Sequence, residues 1–319
     1  MRISGFTMVK NADKLYYPIK ESITSILPIV DEFIIALGDC DEDDSTRKII
    51  ESIGSSKIKI INTVWDTKAY PRGSELAHQT DIAKSHCSGD WLFYLQADEI
   101  IHEKDLETIK TACHKHLEDN EVQGLLFRYI HFWGDYEHAF QFHHCWYRHE
   151  IRIVRNHPDI HSWKDAQSFR VIPDFSKEKY LTREGTEKLK VAYTDAYIYH
   201  YGWVRPPLLM ARKQQRFSAC YRKQEDKQST VVDESKVINY GLMRYVPVYK
   251  GTHPQVMKSR IAEFDWADQL NFSRTKKRDI KPIKHERLKY KMMTLIESMF
   301  FKRFGLFTFK NFIVVRRNK

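Results

Sequence analysis

Trp91-Leu92-Phe93-Tyr94-Leu95-Gln96-Ala97-Asp98-Glu99 decides how the rest of the chain is read. Its apolar, aromatic-rich first half describes a buried strand, and the run ends abruptly in two acids. Carboxylates at the end of such a strand are costly unless a cation meets them. In open α/β sheets, the carboxyl ends of strands are also where ligands sit. A divalent metal carrying a phosphorylated ligand accounts for the placement. So does a strand that surfaces into a polar turn, where acidic residues are common. The nonapeptide alone does not choose.

Upstream, Ile3 to Val9 reads as a first strand and Lys10 to Asp13 as a turn. Pro18 opens a helix with Ile19, Ile23 and Ile26 on one face, and Pro28 follows its end. Phe33 to Leu37 is a second strand, running into Gly38-Asp39-Cys40-Asp41-Glu42-Asp43-Asp44-Ser45-Thr46 and then a helix through Ile49, Ile50 and Ile53. Lys57 to Ile61 is a third strand and Gly73 to Ser85 a helix. Strands alternating with helices predict a mostly parallel sheet.

Downstream, the pattern predicts a helix from Lys104 to Leu117 and strands at Val122 to Phe132 and Ile151 to Val154. His138 to Ser168 is rich in His and Trp with poor periodicity, which suggests a functional loop region over the sheet. Arg205-Pro206-Pro207 precedes a helical pattern through Tyr221, and the polar stretch Lys223 to Ser235 reads as a loop. There are no internal repeats.

The 319 residues, 42% hydrophobic, suffice for one large domain, or one with an appendage. Five scattered cysteines without a CxxC pair fit reduced thiols better than a disulfide framework. The first residues lack a signal-peptide core, and no window approaches the ~20 apolar residues of a membrane span. The expectation is a soluble, cytoplasmic protein. The net charge of +10 is unevenly placed: residues 274–319 hold 15 Lys/Arg and 3 Asp/Glu, the remainder 37 basic and 39 acidic residues. A basic tail on a neutral body points to an anionic surface as partner.

Asp39 follows the second strand and Asp98 the fourth. In a parallel sheet both ends open on one edge, so the two acids could face a single crevice. Asp39 would accept hydrogen bonds from a nucleobase, and Asp98 would bind a metal on the diphosphate. For Asp41, Glu42 and Asp43 a solvated loop is the favoured reading, with Asp44 or Ser45 capping the next helix.

The ordered series Phe33-Ile34-Ile35-Ala36-Leu37-Gly38-Asp39, Asp44-Ser45-Thr46, Arg72-Gly73, Gly89-Asp90-Trp91 and Gln96-Ala97-Asp98-Glu99 resembles the nucleotide-binding half of family 2 glycosyltransferases. The resemblance covers roughly residues 1–205. It implies a GT-A (Rossmann-like) α/β fold, a mostly parallel central sheet flanked by helices, followed by a helical, basic C-terminal extension over 206–319. It further implies that Asp39 binds the base, that Thr7 lines the same pocket, and that Arg72 helps hold the nucleotide. In the family a DxD motif binds ribose and Mn²⁺ or Mg²⁺. Here its first position is Gln96, which can hydrogen-bond a ribose hydroxyl but brings no charge. The metal then depends on Asp98, with Glu99 a possible helper, and the departure bears on metal affinity more than on the fold.

The resemblance also matches His200, in a short apolar strand running into a Gly turn, to the family's C-terminal metal-binding histidine; the alternative is a satisfied structural histidine. Asp165, in Ser162-Trp163-Lys164-Asp165-Ala166, matches the catalytic base of inverting members, with Trp163 as an adjacent aromatic platform and Trp203 as a further acceptor contact. Asp159 and Glu150 compete for the base role, and a salt bridge of Asp165 to Lys164 or Arg170 is the structural alternative. His143, His144, Cys145, His149, His157 and His161 lack a zinc spacing and fit an acceptor groove better.

In the tail, Leu288, Met292, Leu295, Met299 and Phe300 form a helical stripe beside Lys284, Arg287, Lys291 and Lys302. The stripe either packs on the body or lies on an anionic membrane, with Phe300, Phe301 and Phe304 at the rim. The expected activity is inverting transfer of a sugar from a nucleotide-diphosphate donor to a saccharide or glycolipid hydroxyl, in polysaccharide or glycoconjugate synthesis. A sugar nucleotidyltransferase would need a Gly-rich loop after the first strand, which Thr7-Met8-Val9-Lys10-Asn11 does not supply. A protein binding nucleic acid or anionic lipid through the tail would leave the acidic strand ends unexplained, and nucleic acid is not an expected partner.

Overall fold

The computed structural model describes residues 1–221, 237–273, 282–300 and 310–315. Residues 223–235, Phe301, Lys302 and Phe304 lie outside them. Twelve strands are described: β1 (Ile3–Val9), β2 (Glu32–Leu37), β3 (Ile58–Asn62), β4 (Trp91–Tyr94), β5 (Glu99–Ile101), β6 (Gly124–Trp133), β7 (Ala139–Phe140), β8 (His149–Arg155), β9 (Ile160–Trp163), β10 (Ser168–Val171), β11 (Glu187–Trp203) and β12 (Phe312–Val314). Their order across the sheet is β3-β2-β1-β4-β8-β6-β11-β10-β9. β3, β2, β1 and β4 are parallel. β8 is antiparallel to both β4 and β6, so β6 and its parallel neighbour β11 run in the direction of β4. From β3 to β11 along this order only β8 is reversed, while β5, β7 and β10 pair antiparallel at the sheet's margins; with helices against its faces, this is the mostly parallel α/β layout expected.

β1, β2 and β4 are buried on both faces, which is why they read as largely apolar runs. Phe33, Ile34, Ile35 and Ala36 are fully enclosed. Burial of side chains such as Phe33 or Ile35 stabilises by about 1.5–3 kcal/mol each, so a charge at Ile35 would break the sheet. Helix α1 (Ile19–Ile26) buries Ile19, Ile23 and Ile26 on the predicted face. The other helices are α2 (Thr46–Glu51), α3 (Ser74–Ser85), α4 (Leu106–Lys115), α5 (Pro207–Ala219), α6 (Lys258–Ala262) and α7 (Leu288–Phe300).

Two local expectations are corrected. His138 to Ser168 is not all loop, because β7, β8 and β9 lie within it. His200 belongs to no short strand: β11 has 17 residues, Gly202 lies inside it, and its ladder breaks around Asp195, where φ is +60°. A bulge of this kind lets one long strand bend with the sheet while its apolar residues stay inward. Described residues after 205 share a core cluster with residues before it. The Tyr240 hydroxyl donates to Arg205 O and Trp266 Nε1 to Gly134 O, while β12 pairs in parallel with β11. No helix among the described residues is long and apolar enough to cross a membrane.

Candidate active site

Because β2 and β4 both run parallel to β1, Asp39 and Asp98 emerge at the same edge of the sheet. Asp39 accepts from Lys10 Nζ at 2.8 Å and from the Trp65 backbone N–H at 2.9 Å. Burial opposes its ionisation, but these donors outweigh it and hold the carboxyl below its ordinary range. Lys10 also lies over the Trp65 ring. Arg72, with φ +56°, is exposed at the start of α3. Thr7 differs from expectation: it is fully buried inside the sheet, level with Ile35 and short of the open edge, with its hydroxyl on Met8 O.

The two acids closing the signature stretch part company. The chain turns after Tyr94, so Asp98 stays at the edge while Glu99 begins β5 and points inward. Arg152 grips Glu99 with two hydrogen bonds of 2.7 Å, the Tyr129 hydroxyl adds a third at 2.8 Å, and both charged side chains are fully buried. Glu99 is therefore a structural ion-pair partner, and the expectation that it helps a metal is corrected.

Asp98 is buried and faces basic groups. Lys213 Nζ donates to its Oδ2 at 3.0 Å and to Gly202 O at 2.8 Å, and His200 Nε2 lies 3.9 Å from Oδ1. Burial works against ionisation of Asp98, yet Lys213, His200 and Arg205 outweigh it and hold its carboxyl well below the carboxylate range. Burial and Arg205 in turn push Lys213 down to about 8, against the pull of Asp98. A Cβ on Gly202 would lie 2.8 Å from Asp98 Oδ2 and closer still to His200 Nε2, so only glycine lets the three meet. Arg205, fully buried, donates Nη1 to Leu15 O and lies 4.7 Å over the Tyr17 ring. Its Nε and Nη2 have no hydrogen-bond partner among the described residues. A buried cation with open donors is costly and suits an anionic ligand.

The parallel register of β6 and β11 sets His131 beside His200, with Nδ1 to Nδ1 at 3.1 Å. His131 Nε2 lies 2.8 Å from Tyr147 O. A carbonyl only accepts, so Nε2 carries the proton. Burial, reinforced by His200, keeps His131 well below the ordinary histidine value and hence neutral, which leaves its Nδ1 an acceptor. Burial lowers His200 as well, against the pull of Asp98; in its neutral form it donates from Nδ1 and presents a bare Nε2 towards Asp98. That is the tautomer a metal requires, with a partner ring fixing it.

Asp165 is half-buried between Lys164 and Ala166, both at positive φ (+58° and +60°). The Tyr221 hydroxyl donates to its Oδ2 at 2.8 Å, and among the described residues neither Lys164 nor Arg170 forms the suggested salt bridge with it. Gln96 Nε2 donates to Ala166 O at 3.3 Å, tying this loop to the Gln96–Asp98 turn. Gly73 N–H donates to Cys220 O, and a Cβ at Gly73 (φ +82°) would strike Tyr221 at 2.8 Å. The end of α5 thus sits against the start of α3.

Of the rival acids, Asp159 follows β8 at the opposite sheet edge, near residues paired with the start of β4. Glu150 is buried, accepts from Gln167 Nε2 at 2.9 Å, and is pushed up to about 8 by burial. Trp163 is no open platform. It is 2% exposed, with Nε1 on Thr182 O and Arg170 and Lys164 over its ring. Trp203 is half-buried and stacks on Trp133 at 4.9 Å, next to Gly202.

Sequence reasoning missed Lys213, Arg205, His131, Lys10 and Trp65. Lys213 and Arg216, three apart on α5, share one face, and Arg216 reaches Asp41 Oδ2 at 2.6 Å. Asp41 also takes Lys14 at 3.0 Å, so it belongs to a bridge between α5 and the β2 loop, not to a solvated turn. Asp44 does cap α2, accepting from Thr46 N at 2.9 Å.

No family model matches the sequence, and none of the curated proteins matches it. Among solved structures, the chain is similar to glucosyl-3-phosphoglycerate synthase from Mycobacterium tuberculosis in complex with Mn²⁺, uridine diphosphate and phosphoglyceric acid. The identity is 19%, covering 40% of this chain and 43% of that one, with a TM-score of 0.30. It is also similar to S. aureus TarS 1-349 (16% identity, 69% and 65% covered, TM-score 0.37). A third is mannosyl-3-phosphoglycerate synthase from Rubrobacter xylanophilus (16% identity, 41% of each chain, TM-score 0.30). The chain spans less than half the length of the first of these. At such scores the likeness decides nothing about activity, and the fold assignment rests on the strand order.

Proposed function

We propose that the chain is an inverting glycosyltransferase that moves a sugar from a nucleotide-diphosphate donor to a hydroxyl of a saccharide or glycolipid, in polysaccharide or glycoconjugate synthesis. One observation carries the reading: Asp39, Asp98 and Asp165, from distant parts of the chain, lie towards one edge of the sheet, where Lys213 meets Asp98 and the buried Arg205 keeps two donors open. An anionic diphosphate is the ligand class that answers both features.

Mn²⁺ or Mg²⁺ belongs to this reading. Mg²⁺ is commonly held by one or two carboxylates plus substrate phosphates. Asp98 and the bare Nε2 of His200 supply that much, leaving the remaining positions to diphosphate and water. When bound, the ion offsets charge on the departing diphosphate.

The chain's own groups do the rest. Asp39 accepts from the base, with Thr7 backing the pocket wall from within the sheet. Gln96 hydrogen-bonds the ribose, and Arg72 holds the nucleotide. Lys213 and Arg205, already desolvated, offer donors to the diphosphate without reorganising. Asp165, oriented by Tyr221, takes the acceptor hydroxyl's proton as that oxygen attacks the anomeric carbon and the bond to the diphosphate oxygen breaks. Trp203 stands where an acceptor could lie against the rim. The test is a pair of variants: Asp98→Asn and Asp165→Asn should both abolish transfer, and only the first should weaken metal-dependent nucleotide binding. Full activity in either would remove that residue from the mechanism.

A further inference from the structure

Helix α7 meets the body with its polar side. Glu297 is fully buried, accepting from His144 Nδ1 and Arg148 Nη2, each at 2.6 Å. One turn earlier, the Thr294 hydroxyl accepts from the His144 backbone N–H at 3.0 Å. The apolar stripe is therefore turned outward. Leu288, Met292, Leu295, Met299 and Phe300 are each more than half exposed. At about 100° per residue, Leu288, Met292, Leu295 and Met299 fall within roughly 60° of arc, with Glu297 on the opposite side. The exposed Lys289 lies on one flank of the stripe and Lys291, part-exposed with its Nζ 3.4 Å over the Tyr245 ring, on the other.

An amphipathic helix in water normally hides its apolar face and shows its polar one; this one is mounted the other way round. We propose that α7 lies flat on an anionic lipid bilayer, with its apolar stripe among the acyl chains and its flanking lysines at the head groups. Charge selects this occupant. The segment 274–319 carries 15 basic and 3 acidic residues. A basic face gains from each anionic lipid it meets, whereas a symmetric contact with a second copy would set the same lysines against one another. The polar anchor through Glu297 fixes the helix against the body, so insertion needs no unfolding. This inference is independent of the sugar-transfer reading.

The experiment is co-sedimentation of the full chain with phosphatidylcholine vesicles, with and without phosphatidylglycerol. The expected result is binding to the anionic vesicles alone, weakened by salt. Lys289→Gln with Lys291→Gln should lower partitioning about fivefold per lysine. Leu295→Asn with Met299→Asn should lower it by roughly tenfold or more, as the inserted apolar area is lost. Leu295 and Met299 are exposed, and an unchanged near-ultraviolet circular dichroism spectrum checks the fold of each variant. Failure of the wild type to bind anionic vesicles overturns the proposal. So does binding indifferent to the Leu295/Met299 pair, which would place the contact elsewhere in the tail. A lipid-independent dimer that those substitutions abolish overturns it too, because the stripe would then belong to a second copy.

Discussion

Asp98 and Glu99 are neighbours in sequence with opposite work to do, and exchanging each carboxylate for its amide separates them. Glu99→Gln removes a charge that receives two 2.7 Å hydrogen bonds from Arg152, in a site where both partners are fully buried. Arg152 cannot shed its proton and would be left as an uncompensated buried cation. Breaking such a pair typically costs about 3–5 kcal/mol, a large part of the roughly 5–15 kcal/mol that holds a domain folded. Asp98→Asn strands Lys213 instead, but that ammonium is already pushed down to about 8, keeps Gly202 O, and can deprotonate. Its stability cost should therefore be well under that of Glu99→Gln. Urea denaturation at neutral pH measures both, and nucleotide titration with and without Mn²⁺ on the folded variants measures the site. The expected pattern is a large stability loss with retained metal-dependent binding for Glu99→Gln, and the reverse for Asp98→Asn. A Glu99→Gln variant as stable as wild type, or one that folds but loses the metal response, would refute the assignment.

Further outcomes follow from the same geometry. His131→Leu should lower Mn²⁺ affinity in the nucleotide complex by about 10–100-fold, the usual cost of removing a group that orients a ligand; His131→Asn, able to accept from His200, should recover part of it in a calorimetric titration. Lys213→Met should tighten binding of Mn²⁺ alone, by releasing Asp98, while weakening nucleoside diphosphate affinity roughly tenfold or more. Glu150 sets a pH dependence. Its folded pKa of about 8 lies above the ordinary 4.5, so the folded state holds a proton that the unfolded state releases, and stability falls as pH rises between those values. Glu150→Gln keeps the Gln167 hydrogen bond without the ionisable proton, and should gain of order 3 kcal/mol at pH 7 while changing little at pH 4; thermal melts across that range check the sign.

The parallel half of the sheet was legible because β1, β2 and β4, buried on both faces, are largely apolar runs bounded by turns. Asp39 and Asp98 were legible together for the same reason, since parallel strands end on one edge. What lay beyond reach was decided by packing between distant segments. Nothing local distinguishes Glu99 from Asp98; the difference is Arg152, aimed at the interior from β8. Lys213 could be placed on a helix face, but not over Asp98, because the seating of α5 is set by Tyr17 and the Asp41–Arg216 bridge. His131 depended on the register of β6 against β11, and Trp163 was hidden by the β9–β10 hairpin closing around it. The α7 stripe was legible as a stripe. Its outward direction required Glu297 to find His144 and Arg148 in a loop some 150 residues earlier.

The proposed activity requires a nucleotide bridging Asp39 and Asp98. A thermal-shift screen of nucleoside diphosphates with and without Mn²⁺, run on the wild type and on Asp98→Asn, tests it most directly. One diphosphate should raise the melting temperature, Mn²⁺ should enlarge that rise, and Asp98→Asn should abolish the enlargement. No shift with any nucleoside diphosphate, or a Mn²⁺ effect that persists in Asp98→Asn, would contradict it.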